Sequence, residues 1–398
     1  MKTKKKILIL FKSPWDWNKF IIYKLSKFYH VEHLYINGIQ DKNFSEILSE
    51  INKKIDEDKI EIVFFEADYY KFVNLYFISK IKNVKKVLLT FDDHDLHEMN
   101  AITASACDVV ITGCPLSLLK YKEKGYQAFW TFLENDNDVY KKYKEKKEFD
   151  VLFFGGLNND RKNFLDYIEK KGIKVKVVGK QSDNFLKDED LAKLICKSKI
   201  VLNLSKSTWG AVRTYAFFQL LYPDHIYKFF YQIKGRIFTT GLCGTACVSE
   251  FFPGYNLLFN ENELEIFYTK EECFEILTKL LKNEELLEKY TNKFSTKVQN
   301  ICDDEREFMP IFNAIENSKY EKVKLSKVPY WYLRIAAKQI ILRNIKLSNL
   351  KKSIFQFNLI FSLIKNSSIL TKLLIVFESI INVLWYPIVK VIKTKKFQ

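Results

Sequence analysis

Two segments of the sequence combine glycine and arginine in a way that suits phosphate binding. In "DVLFFGGLNNDRKNF", Gly155 and Gly156 follow an apolar run, and Arg161 lies in the helical pattern that comes next. Backbone without Cβ atoms can approach a ligand closely, and free N–H groups at a helix N-terminus favour an anion such as a diphosphate. The alternative is a tight turn with an arginine at the surface.

The second segment is "IKGRIFTTGLCGTACVSEFFPG", which places Arg236 at the start of a short predicted helix, Arg236–Leu242. Gly244 would turn the chain into the next strand. We expect Arg236 to face the same cleft as the glycine pair, where it could contact the phosphates of a nucleotide. The alternative is that Gly241 and Gly244 only end a helix and form a turn.

A third segment, "LLTFDDHDLHEMN", is rich in carboxylate and imidazole groups: Asp92, Asp93, His94, Asp95 and His97. These are common metal ligands, but adjacent Asp and His side chains seldom converge on one ion. We therefore predict no metal site, and instead a carboxylate or His94 that faces the cleft as a general base. A solvated helix N-cap formed by Asp92 or Asp93 is the alternative. Asp16, Glu66 and Asp68 also end strands and stay open as candidates for the base.

These segments belong to a regular alternation of strands and helices, which is typical of parallel sheets with crossover helices. The first half of the chain is predicted to contain six strands, at Lys6–Phe11, Val31–Ile36, Ile60–Phe65, Lys86–Phe91, Asp108–Thr112 and Ala128–Phe132. A second series is predicted at Asp150–Phe154, Val175–Val178, Ile200–Leu204, Ala246–Val248 and Glu265–Tyr268. Ligands of such sheets bind beyond the carboxyl ends of the strands.

The polar stretch Glu134–Phe149 separates the two series and reads as a linker or a bridging helix. We predict an α/β protein of two Rossmann-like lobes that face a cleft, with the first lobe at 1–148 and the second at 149–320. A third region, 321–398, differs in composition.

The charge of the chain is concentrated in that third region. The whole chain has a net charge of +16. From Glu321 onward there are 15 Lys and Arg against two acids, a net of +13, which leaves +3 for residues 1–320. The seven cysteines are scattered and form no CxxC pair, which argues against a disulfide framework or a zinc site and favours a cytoplasmic chain.

Apolar residues in the tail recur every three or four positions, with Lys residues beside them and Trp331, Tyr332, Trp385 and Tyr386 at the edges. This pattern is typical of a basic amphipathic helix at a membrane interface, so we predict that 330–398 contacts an anionic membrane surface. The alternatives are packing against the lobes or a second subunit, and a membrane span at Leu373–Val389. That run has only 17 residues and contains Glu378, Asn382 and Pro387. Nucleic acid is a poorer partner for so apolar a tail.

The order of the motifs resembles the GT-B glycosyltransferases of the spore-maturation-protein type. The resemblance rests on "KGRIF", the Cys243-Gly244 turn, "EIFY" and the helix that opens with Lys270-Glu271-Glu272, and it extends upstream through "VLFFGG", "KVKVVGK" and "SKIVLNLS". It covers roughly Lys85–Asn300.

The resemblance implies a nucleotide-sugar donor bound by the second lobe, with no metal and no cofactor. Arg236 would contact the diphosphate or sugar, Gly244 and Thr245 would let the backbone meet the donor, and Glu265 would face hydroxyl groups. Thr239 stands where the related sequences have Glu.

We therefore expect a cytoplasmic, peripheral membrane enzyme that transfers a sugar to a lipid-linked or surface-glycan acceptor in polysaccharide synthesis. A sugar-nucleotide epimerase of the same shape and a non-catalytic nucleotide-sugar-binding or scaffolding protein are the alternatives.

Overall fold

The computed structural model describes residues 4–14, 17–36, 44–67, 75–91, 93–133, 136–179, 186–206, 231–318, 328–334, 337, 361, 364–365 and 367–381. The first lobe contains β1 (Lys6–Phe11), α1 (Asn18–Ser26), β2 (His30–Tyr35), α2 (Phe44–Asp58), β3 (Ile62–Glu66), α3 (Leu75–Lys80), β4 (Lys85–Thr90), α4 (Asp93–Ala104), β5 (Val109–Thr112), α5 (Pro115–Glu123) and β6 (Ala128–Trp130). Its six strands form one parallel sheet in the order β2-β1-β3-β4-β5-β6.

The second lobe begins with β7 (Phe149–Phe154), α6 (Asn159–Lys170), β8 (Val175–Val178), α7 (Asp188–Cys196) and β9 (Ser198–Asn203). It continues with α8 (Arg236–Leu242), β10 (Ala246–Glu250), a 3-10 turn (Tyr255–Leu257), β11 (Glu265–Phe267), α9 (Lys270–Lys282) and α10 (Glu284–Ile301). The five strands form a parallel sheet in the order β11-β10-β9-β7-β8. The predicted fold class, two Rossmann-like α/β lobes, is confirmed.

The inner strands of the first sheet are buried on both faces, which explains why β1 and β3 are nearly continuous apolar runs, whereas the edge strand β2 is largely exposed. Alternate residues of β1 point to opposite layers: Leu8 and Leu10 pack with the helices α2 and α3, whereas Ile7 and Ile9 pack with α1 and with a later helix. That later helix is α11 (Asp304–Asn317). It follows the second lobe in sequence, yet Phe308, Ile311, Phe312 and Ile315 pack against the first, and the rings of Phe28 and Phe312 lie 4.4 Å apart. The predicted second lobe, 149–320, therefore includes a helix that packs against the first lobe.

The segment 136–148 contains no helix, so it is a linker and not a bridging helix. All seven cysteines are reduced and buried. Among the residues that the structure describes, no helix has the length and apolarity needed to cross a membrane.

Candidate functional site

The order of the second sheet defines where a ligand would bind. From β7 the chain passes to β8 on one side and later to β9 on the other, so a crevice opens beyond the carboxyl ends of β7 and β9. Gly155 follows β7 at this point and has φ +122°, a conformation that favours glycine. Its N–H donates to the carbonyl of Val178 at 2.9 Å.

Arg236 occupies this crevice. It is the first residue of α8, and only 9% of its surface is exposed. Its guanidinium lies over the rings of Phe153 and Phe154, with 4.6 and 5.2 Å to the ring centroids, and Nη1 donates to Asn203 Oδ1 at 3.0 Å. A Cβ on Gly155 would lie 2.5 Å from Arg236 Nη2, so the absence of a side chain there makes room for the guanidinium.

Arg161 approaches the same crevice from α6. The side chain of Asn158 caps this helix by accepting the N–H of Arg161 at 2.9 Å. The guanidinium then spans the ends of β7 and β9, since Nη1 donates to the Gly156 carbonyl at 2.6 Å and Nη2 to the Leu204 carbonyl at 3.3 Å. The predicted residues Gly155, Gly156, Arg161 and Arg236 are thus brought together.

The partners of the two guanidinium groups in the described part of the chain are uncharged. Within the described part of the chain, no Asp or Glu lies at ion-pair distance from either group, and the Nε atoms of both are buried without a hydrogen bond. Burial, and then the charge of Arg161, lowers the pKa of Arg236 to about 9. Burial also lowers the pKa of Arg161, whereas the charge of Glu250 raises it. A buried and a half-buried cation with no described anion between them form a site suited to a phosphate or diphosphate.

Glu250, which the sequence analysis missed, ends β10 beside this crevice. Its carboxylate accepts the N–H of Lys206 at 2.9 Å and the hydroxyl of Ser205 at 3.4 Å, and burial raises its pKa. Its position at the end of a parallel strand was the only signal in the sequence that could have indicated it.

Asp93 does not face the cleft, contrary to the prediction for a catalytic carboxylate. It is fully buried at the start of α4 and accepts hydrogen bonds from four side chains, those of Thr90, Asn100, Thr112 and Tyr121. These donors come from two strands and two helices, so the carboxylate joins the elements of the first lobe.

His94 lies next to Asp93 on α4 and is partly exposed. Burial lowers its pKa to about 3, with a further contribution from the charge of Lys234, the second residue before α8. His94 is therefore a neutral imidazole on the side of the first lobe that meets α8.

Asp92, Asp16 and Asp68 lie outside the described residues. Glu66 ends β3 and accepts the N–H of Lys12, which follows β1, at 2.7 Å; it therefore lies at the switch point of the first sheet.

Four other predicted donor-binding residues lie elsewhere or have their polar groups engaged. Gly244 and Thr245 precede β10 and so lie at the amino edge of the sheet, and the Thr245 hydroxyl donates to the Ile195 carbonyl at 2.9 Å. The buried hydroxyl of Thr239 donates to the Arg236 carbonyl at 3.2 Å, within α8. Glu265 is the first residue of β11 and pairs with Val248 of β10. Val248 lies two residues before Glu250, the last residue of β10, so Glu265 is not at the carboxyl edge of the sheet.

The described residues include no group of three His, Cys, Asp or Glu that could bind a metal ion. Metal independence stays a prediction.

Residues 161–301 match the family model described as "Glycosyl transferase-like". No curated protein matches the chain in sequence. Sucrose-phosphate synthase from Thermosynechococcus elongatus is similar in structure, with a TM-score of 0.54, 7% identity, and coverage of 79% of this chain and 98% of that one. HepE from Anabaena, in complex with UDP-glucose, has a TM-score of 0.53 at 12% identity, with coverage of 79% and 100%. A glycosyltransferase from Rickettsia africae has a TM-score of 0.51 at 11% identity, with coverage of 79% and 100%.

The matched segment runs from Arg161 to the end of α10, so it includes both arginines of the crevice. These matches support a glycosyltransferase family, while the narrower spore-maturation-protein type is not confirmed. The fold of the chain is that of the GT-B glycosyltransferases.

Proposed function

We propose that the protein transfers a sugar from a nucleoside diphosphate donor to an acceptor hydroxyl. The observation that carries this proposal is the pair of guanidinium groups at the switch point of the second sheet, the buried Arg236 and the half-buried Arg161, which have no carboxylate at ion-pair distance among the residues that the structure describes. Solved structures of the same fold contain UDP and UDP-glucose, which supports a nucleotide-sugar as the donor.

In this proposal the arginines do most of their work as the bond to the sugar breaks. Negative charge then develops on the leaving diphosphate, and fixed cations in a dry crevice stabilise it without having to reorganise. The positive end of the α8 dipole would add to this effect.

The first lobe would provide the acceptor side. His94, Glu66 and Asp92 are the candidates for the general base that accepts the proton of the acceptor hydroxyl, but burial lowers the pKa of His94 to about 3 and so makes it a weak base. We assign the acceptor to the lipid-linked or surface-glycan class of the cell envelope, because the tail carries a net charge of +13 and its described part packs on this lobe. A cytoplasmic, peripheral membrane location is part of the proposal.

The variant Asn203→Asp tests the donor site with little change in shape. Asp would place a carboxylate 3.0 Å from Arg236 Nη1, where the amide oxygen of Asn203 now lies. We expect the ligand-free variant to have a higher unfolding temperature, because a buried cation gains a partner. We also expect its affinity for nucleoside diphosphates, measured by calorimetry, to fall about ten- to a hundredfold, as the new anion competes with the phosphate.

Arg306→Met, which removes an exposed arginine from α11, is the matched control and should bind as the parent does. The parent is first screened with UDP-, GDP-, CMP- and dTDP-sugars by thermal shift. Unchanged affinity in Asn203→Asp would contradict the donor site. Release of free nucleoside diphosphate only when an acceptor is added distinguishes transfer from epimerisation, and binding without any turnover would indicate a non-catalytic protein.

A further inference from the structure

The described part of the tail packs against the outer side of the first lobe. Tyr332 is buried among Leu96, Met99 and Ile102 of α4, and a helix at 369–381 buries Ile375 and Ser379. Ile375 belongs to a small cluster with Leu333, Ala337 and Ile364, and Tyr76 of α3 packs against it. The helix is therefore held on the lobe and is not a loose extension.

Polar contacts fix the rotation of this helix about its own axis. Glu378 pairs with Arg334 and accepts the hydroxyl of Tyr330 at 2.9 Å. Tyr330 and Arg334 lie one helical turn apart on the segment 330–334, which also contains the buried Tyr332. Their contacts with Glu378 therefore attach one side of the helix 369–381 to the lobe.

The opposite side of the helix is apolar and exposed. Seven large apolar side chains are 40–77% exposed there: Ile369, Leu370, Leu373, Leu374, Phe377, Ile380 and Ile381. At 100° per residue they cover a continuous arc of ~140°, which we call the apolar face. An amphipathic helix normally turns such an arc toward the protein core, whereas this one turns it outward.

The charge around the apolar face indicates what covers it. The region 321–398 has 15 Lys and Arg and only two acids, Glu321 and Glu378, and Glu378 is neutralised by Arg334. Lys365 and Lys372 are close in sequence to the exposed residues. A second copy of the chain would bring an equally basic tail against this one, and nucleic acid would not cover aliphatic and aromatic surface.

We propose that the apolar face inserts into the interface of an anionic lipid bilayer, with the helix in the plane of the membrane and the first lobe next to it. Apolar burial and attraction of Lys and Arg to anionic lipid would then act together, at about 1 kcal/mol for each basic residue near the surface. This proposal does not depend on the proposed sugar transfer.

The experiment is flotation of the full chain with phosphatidylcholine vesicles, with and without phosphatidylserine. We expect the protein to float with the phosphatidylserine vesicles and to be released as salt concentration rises. The double variant Leu373→Glu, Phe377→Glu should float at least tenfold less, because both changes place carboxylates on the apolar face.

Leu119→Glu is the control, because Leu119 on α5 is also a large apolar residue with an exposed side chain, at 46%, but lies outside the tail. Circular dichroism melting is the check that each variant folds. Equal flotation of the double variant and the parent, or no flotation of the parent, would overturn the proposal. A dimer of the parent that the double variant dissociates, without lipid binding, would also overturn it and assign the face to a second copy.

Discussion

Arg236 is held in position before any ligand binds. Its guanidinium stacks on Phe153 and Phe154, and Asn203 accepts one of its N–H groups. The Thr240 hydroxyl donates to the Arg236 carbonyl at 2.6 Å, which fixes the first turn of α8. Because little side-chain freedom remains to be lost, binding of an anion costs little ordering entropy.

Gly155→Ala is expected to disable this arrangement. The added Cβ would lie 2.5 Å from Arg236 Nη2, and φ +122° is strained for any residue with a side chain. We expect the affinity for nucleoside diphosphates to fall at least about tenfold and the unfolding free energy by ~1–3 kcal/mol. Calorimetric titration and urea unfolding measure the two effects.

Gly156→Ala is the control for this change. A Cβ there meets no atom closer than Arg161 Nη1 at 3.9 Å, an ordinary contact. If both alanine variants weaken binding equally, the close approach of Arg236 to Gly155 is not the cause.

The pH dependence of stability should report on His94. Its pKa in the folded chain is lowered to about 3, below the ordinary 6.5, mainly by burial. As pH falls below about 6.5 the unfolded chain takes up a proton that the folded chain does not, so stability decreases, by at most ~1.4 kcal/mol per pH unit. His94→Asn should make the decline between about pH 7 and pH 5 shallower in urea unfolding. The same substitution at the exposed His30, His30→Asn, is the control, and an equal change of slope in the two variants would contradict the assignment to His94.

Residue types and spacing predicted part of the site. Gly155 and Arg161 follow the end of a predicted strand, and Arg236 begins the helix that leads to the next strand, so all three are expected at the carboxyl edge. The same rule could have excluded Gly244 and Thr245, because a turn from a helix into a parallel strand lies at the opposite edge. The burial of Asp93 could not be predicted, since its four hydrogen-bond donors are up to 28 residues away in sequence.

Helices and strands were largely predictable from periodicity. All eleven predicted strands lie within two residues of the observed ones at each end, because buried parallel strands are short apolar runs between polar turns. The return of α11 to the first lobe was not predictable. Its apolar positions Phe308, Ile311, Phe312 and Ile315 specify a buried helical face but not the partner of that face.

The attachment of the tail to α3 and α4 depends strongly on one tyrosine. The buried Tyr332 hydroxyl accepts the N–H of Leu75 at 3.0 Å and is 2.9 Å from Thr103 Oγ1. Tyr332→Phe leaves these groups without that partner, so we expect the unfolding free energy to fall by ~1–3 kcal/mol in urea unfolding. Tyr330→Phe, the control, removes one hydrogen bond from a half-buried position and should cost less. Equal losses would argue against this anchoring role.

The two lobes meet at the carboxyl ends of their sheets. The Phe132 ring, two residues after β6, stacks on Phe238 of α8 at 4.4 Å, and Gly235 lies against it. The buried Lys24 ammonium donates to the Phe132 carbonyl at 2.8 Å, which fixes the segment that carries the ring. The distance between the lobes therefore depends on the small size of residue 235.

Gly235→Ala should move the lobes apart. Its Cβ would lie 2.6 Å from Phe132 Cζ, and the ring is packed too closely to yield. We expect a larger radius of gyration in small-angle scattering. Gly241→Ala, the control, makes a similar clash with Val298 inside the second lobe, so it should lower stability without changing the radius. An unchanged radius in Gly235→Ala would contradict the expectation.

The position of the two arginines also has a consequence for turnover under the proposed function. The arginines bind the diphosphate, which stays on the protein after the sugar has left. The product nucleotide therefore keeps most of the contacts that the donor made. Departure of this by-product, and not bond cleavage, would then limit the rate at steady state. A phosphatase that removes free nucleoside diphosphate would not speed this departure, but it would prevent rebinding and so relieve product inhibition.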